Sequence, residues 1–241
     1  MTAHLKDRIA LITGASRGIG AAVAERFALE GAHVILIART QGGLEYTDDR
    51  IRSALELTPN SASPATLLQL DLTDLDAIDR IGPTIAQRFG TLDIVVGNAG
   101  MLGDLSPIHH IDSTMWTTVI DVNLNANWRL IRTTDPLLRQ SNAGRAVFVT
   151  SSAAKGKRPY WGAYAVSKAA LEMMVTCWAA ETEETEMRVN LLDPGATRTK
   201  MRADAYPGED PETVKPPGDI TDFFVELCSP QCRRHGDLVQ V

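Results

Sequence analysis

At 241 residues the chain is long enough for one sizeable domain, and 44% hydrophobic against 22% charged residues is the balance of an ordinary globular protein. A formal charge of −6 argues against nucleic acid or an anionic membrane surface as a partner. No apolar run reaches the length of a membrane helix, and the polar stretch Met1 to Arg8 leads straight into a strand-like segment, so no leader or anchor and a cytoplasmic location are expected. Cys177, Cys228 and Cys232 form neither an even framework nor a metal spacing, which predicts reduced thiols and no metal site.

In chain order, strand-like and helix-like segments alternate. Ile9–Thr13 is a short apolar run, Ile19–Leu29 a helix closed by Gly31, and His33–Ile37 a second strand. Gln41–Leu57 reads as a helix and Thr58–Pro64 as a turn. Thr66–Leu70 follows as a third strand and Leu75–Phe89 as the next helix. Ile94–Gly97, Ala146–Thr150 and Arg188–Leu192 are further strands, separated by helical patterns at Thr114–Leu138 and Tyr164–Thr182. Continuous apolar strands imply burial on both faces, and strand–helix alternation implies parallel crossovers. The expected fold is therefore α/β: a Rossmann-type doubly wound parallel sheet of about seven strands, in a single domain spanning residues 1–241. Thr197–Gly218, rich in Pro, Gly and charge, is too long for a routine connection and predicts a lid or binding loop.

Directly after the first strand comes Thr13-Gly14-Ala15-Ser16-Arg17-Gly18-Ile19-Gly20. Gly14 permits a tight turn, Gly18 lets the backbone approach a pyrophosphate, and Gly20 lets the helix pack closely on the sheet. The helix N-terminus then offers N–H groups and a positive dipole end to phosphates. The spacing is G-x-x-x-G-x-G rather than G-x-G-x-x-G, and a glycine trio alone is a weak signal.

Further along, Tyr164 and Lys168 stand one helical turn apart on one face. A free phenol has a pKa of about 10, too high for acid–base work near neutrality, and a neighbouring cation lowers it. Ser151 lies at the end of the strand Ala146–Thr150, and sites in such sheets form at the carboxyl ends of strands. Ser151 and Tyr164 are thus candidates to meet one substrate oxygen, and Trp161 is either a pocket wall or buried under the neighbouring loop.

Together, Thr13-Gly14-x-x-x-Gly18-x-Gly20, Asn98-Ala99-Gly100, Asn123, Ser151, Tyr164-x-x-x-Lys168 and Pro194-Gly195 resemble the short-chain dehydrogenase/reductase family in order and spacing. Trp161-Gly162-Ala163-Tyr164 and Thr197 to Arg202 further resemble a bacterial YciK-like subgroup. The resemblance implies an oxidoreductase that moves a hydride between nicotinamide and a small carbonyl or alcohol. Tyr164 would be its acid–base, Lys168 would tune it and hold a ribose, Ser151 would polarise the carbonyl, and Asn123 would anchor a water. The cofactor would touch Gly14, Ser16, Arg17, Gly18, Ile19, Gly20, Arg39, Asp71, Leu72, Asn98, Ala99, Gly100, Tyr164, Lys168, Pro194, Gly195, Thr197 and Thr199. A homodimer or homotetramer is also implied. Two positions depart from the family pattern: Gly97 and Asp193 each stand where Asn is usual.

The second strand ends in Ala38-Arg39-Thr40 without the carboxylate that would accept from a ribose 2′-OH. Arg39 and Arg17 instead offer guanidinium groups suited to a 2′-phosphate. NADP(H) is therefore expected as the preferred cofactor, with NAD(H) possible. The rival reading is a nicotinamide-binding sensor or scaffold that kept the fold without turnover.

Overall fold

In the computed structural model, which describes residues 3–241, seven strands form one parallel sheet in the order β3-β2-β1-β4-β5-β6-β7. The strands are β1 (Ile9–Thr13), β2 (His33–Ala38), β3 (Ala65–Gln69), β4 (Ile94–Gly97), β5 (Arg145–Val149), β6 (Arg188–Asp193) and β7 (Leu238–Gln240). The Met1 and Thr2 part of the expected polar leader-free N-terminus lies outside the described residues. Strand order reverses between β1 and β4, where Ile12 pairs with Leu36 on one side and Val96 on the other. In an open α/β sheet this reversal opens a crevice at the carboxyl ends of the strands.

Alternate side chains of β1 feed two separate cores. Ala10 and Ile12 join Val34 and Leu36 against Val23 and Phe27 of helix α1 (Gly18–Leu29). Leu11 joins Ile35, Val95 and Phe148 on the opposite face. Helix α2 (Gln41–Ala54) lies on the first face. The second face carries α3 (Leu75–Asp79), α4 (Ile81–Phe89), α5 (Ser113–Ile120), α6 (Ala126–Gln140) and α7 (Gly162–Glu181). With both faces covered, no strand needs a polar side, which explains the unbroken apolar runs.

Where the structure departs from the sequence reading, the reasons are local. The expected helix Leu75–Phe89 breaks at Arg80, because Pro83 in the first turn of α4 cannot donate to the Asp79 carbonyl. Thr133 Oγ1 supplies that bond instead, at 2.9 Å. The expected helix Thr114–Leu138 contains a π-turn, Asp121–Asn125, between α5 and α6. The stretch Thr197–Gly218, where the sequence predicts a lid or binding loop, carries secondary structure of its own. It contains α8 (Lys200–Ala205), pairs Thr197 with Lys215, and is clasped by ion pairs of Arg198 with Glu212 and Arg202 with Glu209. A last helix, α9 (Thr221–Cys228), packs Phe224 and Leu227 into the first core. Among the described residues, no helix is long and apolar enough to cross a membrane. Cys177, Cys228 and Cys232 are all free thiols.

Candidate active site

The carboxyl ends of β1, β4, β5 and β6 open into one cavity of about 1360 Å³, closed on the far side by α8. Every site residue singled out from the sequence lines it except Gly20 and Asn123, which stand directly behind its wall. Gly14 turns with φ +67, a left-handed conformation that glycine takes without strain. A Cβ there would also lie 2.9 Å from Asn98 Nδ2 and 3.0 Å from the Ala99 Cα. A Cβ on Gly20 would run into the Gly14 carbonyl oxygen. These two positions are therefore closed to any side chain, and the main chain itself forms the cavity wall.

Asn98 holds this turn. Its Nδ2 donates to the Thr13 carbonyl at 2.9 Å, while its own N–H and that of Ala99 donate to Thr13 Oγ1, each at 3.1 Å. The first turn of α1 directs Gly18 and Ile19 at the cavity, where helix N–H groups lack intrahelical partners. Asp71 is exposed and uses Oδ1 to hold Thr73 N and Thr73 Oγ1. Arg17 and Arg39 are exposed at the end of the cavity beside β2, and among the described residues neither guanidinium has a carboxylate partner.

At the other end sit Ser151, Tyr164 and Lys168. Lys168 is buried and donates from Nζ to the Val149 carbonyl at 2.8 Å, with Nζ 5.8 Å from the Tyr164 ring centroid. Burial pushes the Lys168 ammonium down to about 8. The Tyr164 phenol goes the other way, pushed up to about 12, chiefly by burial. A hydrogen bond with Ser151 and the charge of Arg158 pull it down, and the Asp193 carboxylate pushes it further up. The sequence predicts that Lys168 lowers the phenol's pKa. In the cofactor-free protein, loss of water around the phenolate dominates, and the downward pull comes from Ser151 and Arg158. The hydrogen bond to Tyr164 also separates Ser151 from Ser152, whose Oγ accepts from Arg158 Nη2 at 2.9 Å.

Asn123 sits fully buried within the π-turn. Its Oδ1 accepts from Met101 N at 2.7 Å, and its Nδ2 donates to Met101 O and Ser167 Oγ, both at 2.9 Å. It fastens the loop after β4 to α7, beside Lys168. The Cβ position of Gly100 is 3.5 Å from Asn123 Oδ1 and 3.6 Å from Lys168 Nζ, so all three surround one spot. π-turns recur at functional sites because they displace one residue from the regular ladder.

Sequence reasoning did not single out Arg158 or Tyr206. Arg158 Nη1 donates to the Tyr206 hydroxyl at 3.2 Å, and the Trp161 ring packs 5.9 Å from both Tyr164 and Tyr206. Trp161 lines the cavity, one of the two places the sequence leaves open for it. No local motif marks the other two, whose meeting depends on the stretch Thr197–Gly218 folding back over the β5–α7 loop.

Residues 8–210 match the model of the short chain dehydrogenase family. The chain belongs to that family. This dehydrogenase is 39% identical to the uncharacterized oxidoreductase YciK of Escherichia coli K12, covering 95% of this chain and 89% of that one. It is similar in structure to a short chain dehydrogenase of Escherichia coli CFT073 complexed with NADPH, with a TM-score of 0.92 and 38% identity over 100% of this chain and 98% of that one. A short chain dehydrogenase of Shigella flexneri 2a complexed with NADP gives a TM-score of 0.91 and 37% identity, covering 100% and 99% of the two chains. The cavity of this dehydrogenase fits such a dinucleotide. It has a glycine wall that no Cβ can enter, a helix N-terminus facing inward, and an acidic and a basic end loop at Asp71 and Arg39. Among the described residues, no group of three or more His, Cys, Asp or Glu side chains is placed to hold a metal ion.

Proposed function

We propose that this chain, as a single domain over residues 1–241, is an NADP(H)-dependent reductase of small carbonyl compounds that also runs in the alcohol-oxidising direction. The observation that carries this reading is the convergence of Ser151, Tyr164 and Lys168 at one end of the cavity whose other end holds the glycine turn and two unpaired arginines. Gly14, Ser16, Gly18, Ile19 and Gly20 would hold the pyrophosphate, and Arg17 and Arg39 the 2′-phosphate. Asp71, Leu72, Asn98, Ala99 and Gly100 would border the adenosine half. Lys168, Pro194, Gly195, Thr197 and Thr199 would border the nicotinamide half. When bound, the nicotinamide supplies or takes up the hydride at the substrate carbon.

The protein's part is orientation and the proton. Ser151 and the Tyr164 hydroxyl point at one substrate oxygen. A phenol pushed up to about 12 keeps its proton at neutral pH, so Tyr164 is poised as a donor. The ratio of reduced to oxidised cofactor sets which direction the reaction runs. Lys168 sits near its own midpoint at mildly alkaline pH and can pass a proton while Val149 O fixes its position. Asn123 keeps Lys168 in place through Met101 and Ser167, rather than meeting the substrate itself. A cytoplasmic location and a homodimer or homotetramer complete the proposal.

The test is to mix the protein with NADPH and a panel of aldehydes and ketones and to follow nicotinamide absorbance, with a parallel NADPH binding titration. Turnover of at least one carbonyl with NADPH supports the reading. Tight NADPH binding with no turnover across the panel would favour the sensor reading.

A further inference from the structure

Nine basic side chains line the cavity against three acidic ones, in a protein that is net acidic. Most of that positive charge is already answered. Arg26 is paired with Glu30 and Asp222, Arg50 with Glu25, Arg198 with Glu212, Lys200 with Asp204, and Arg202 with Glu209. Among the described residues, three guanidinium groups lining the cavity have no carboxylate partner. Arg17 and Arg39 are at the end beside β2. The third, Arg158, is at the opposite end, beside Tyr164.

Arg158 is nevertheless fixed. Its Nη1 donates to the Tyr206 hydroxyl, its Nη2 to Ser152 Oγ, and its guanidinium lies over the Trp161 ring, 5.3 Å from the centroid. An exposed arginine usually samples many rotamers. This one is held by two hydroxyls and an aromatic face, all neutral, so its charge and its remaining N–H donors stay available. The same Trp161 ring packs against the reacting phenol, 5.9 Å from the Tyr164 ring and at 69° to it. The substrate end thus has a proton donor, an aromatic wall of Trp161 and Tyr206, and a preorganised cation lying on that wall.

We propose that Arg158 is a specificity-determining residue that binds an anionic group of the substrate. The substrate class is then a small carbonyl compound whose flat or apolar body lies along Trp161 and Tyr206 and whose far end carries a carboxylate or a phosphate ester. This rests on the reductase reading and adds the charge of the substrate to it. In the reduction the carbonyl carbon gains a hydride and its oxygen gains the Tyr164 proton, NADPH being oxidised to NADP⁺. The anion at Arg158 takes no part in bond making and serves to place the carbonyl. A planar guanidinium suits both oxyanions, and the experiment separates them.

The experiment measures kcat/KM with NADPH for para-carboxybenzaldehyde, para-formylphenyl phosphate and uncharged para-tolualdehyde. It uses the wild type, Arg158→Met, Arg158→Lys and, as a control for general charge, Lys157→Met, which lies on the same loop but outside the cavity lining. One charged aldehyde should exceed para-tolualdehyde by about tenfold or more in the wild type, the size expected of one charge-assisted contact. Whichever anion wins identifies the group. Arg158→Met should bring the ratio to within about twofold of unity, Arg158→Lys should restore part of it, and Lys157→Met should leave it as in the wild type. Equal use of charged and uncharged aldehydes by the wild type, or a preference that survives in Arg158→Met, overturns the proposal while leaving the reductase reading intact. Failure of the reductase reading looks different: none of the three aldehydes is turned over. Calorimetric titration of benzoate and of phenyl phosphate into the NADP⁺-loaded protein then decides. Binding of either that Arg158→Met abolishes sustains the anion site, and no binding of either removes it.

Discussion

Lys168 donates from Nζ to the main-chain carbonyl of Val149 at 2.8 Å, and so ties the helix that carries Tyr164 to the strand that leads to Ser151. The lysine is buried, and its charge is answered by a carbonyl dipole rather than a carboxylate. A lone hydrogen bond does not restore what an ammonium loses on leaving water, so the charged form is disfavoured in the fold. The site is built at a cost to stability, and the cost has a pH signature.

Lys168 releases its proton near pH 8 when folded and near 10.5 when unfolded. Below pH 8 both states are protonated and the full burial penalty is present. Between about 8 and 10.5 the unfolded chain holds the proton that the folded one has lost, so stability contributed at this position rises with pH across that window. Lys168→Met removes the charge, so the cofactor-free variant should be more stable than the wild type by a few kcal/mol at neutral pH, on the order of 1.4 kcal/mol per pK unit. That advantage should shrink through the window. Urea unfolding of both proteins from neutral pH to pH 10.5 checks this, and a stability difference that stays constant with pH contradicts it.

Replacing Tyr164 with Phe keeps the ring against Trp161 and removes the transferable proton. General acid–base loss of this kind costs about 10²–10⁴ in rate. Turnover of any carbonyl that the wild type reduces should fall by that factor, while NADPH affinity changes little. A variant that keeps more than about a tenth of the wild-type kcat rules Tyr164 out as the proton donor.

What was legible in the sequence was what neighbouring residues determine. The glycine turn and the Tyr164–Lys168 pair each lie within one or two helical turns, so their geometry follows from the local chain. Strands β1, β2 and β4 were legible because burial on both faces leaves an unbroken apolar run. Strand β7 was not, because a three-residue edge strand, only partly buried, needs no such run. Nor was the contact of Arg158 with Tyr206, which spans 48 positions and depends on how the stretch Thr197–Gly218 folds. From the sequence, Asn98 is one of the residues expected to touch the cofactor. Its link to Thr13, 85 positions earlier, makes it also the clamp of the glycine turn, a role that only the β1–β4 pairing reveals. The direction of the Tyr164 shift was missed for the same kind of reason. A sequence shows the nearby cation but not the loss of water.

Gly20→Ala should damage both fold and cofactor binding. The added methyl meets the Gly14 carbonyl oxygen and Asn98 Nδ2, both fixed by the β1–β4 junction, so the turn must shift. Overpacking of this kind costs about 1–3 kcal/mol. NADPH affinity should fall by about tenfold or more, since a displaced glycine wall no longer fits the pyrophosphate. Gly42→Ala in α2, whose Cβ would meet nothing within 4 Å, should be neutral or stabilising by up to about 1 kcal/mol. Thermal unfolding and NADPH titration of the two variants separate a packing effect from a general intolerance of alanine.

The outer faces of α6 and α7 leave Trp128, Val166 and Met173 exposed at 46%, 44% and 65%. Large apolar side chains left in water on adjoining helices mark an interaction surface, and a two-fold pairing of the chain would cover them. A dimer or tetramer is expected by light scattering at micromolar concentration. Trp128→Glu combined with Met173→Glu should lower the mass towards that of a monomer. A wild type that is monomeric under those conditions refutes the pairing.

The expected preference for NADPH rests on three observations at the end of β2. The strand closes at Ala38, and the next residues, Arg39 and Thr40, bring no carboxylate to accept from a ribose 2′-OH. Gln69 Nε2 donates to the Arg39 carbonyl at 2.9 Å, which fixes the main chain where the guanidinium departs. Arg17, at the N-cap of α1, reaches the same end of the cavity from the glycine turn, and neither guanidinium is spent on an acidic partner. Two free guanidinium groups beside a helix N-terminus attract a dianionic 2′-phosphate and gain nothing comparable from a hydroxyl. At about 1.5–3 kcal/mol for a charge-assisted bond, the pair should favour NADPH over NADH by about 10²-fold in affinity. Arg39→Asp reverses the charge where the phosphate would lie and supplies the missing acceptor for a 2′-OH. It should erase most of the NADPH preference while NADH binding holds or improves. Arg17→Ala should weaken NADPH alone, by a smaller factor, because Arg39 remains. Fluorescence titration of both nicotinamides into the three proteins measures this directly, without need of a substrate. Equal affinity of the wild type for NADPH and NADH would defeat the assignment of Arg39 and Arg17, whatever the variants do.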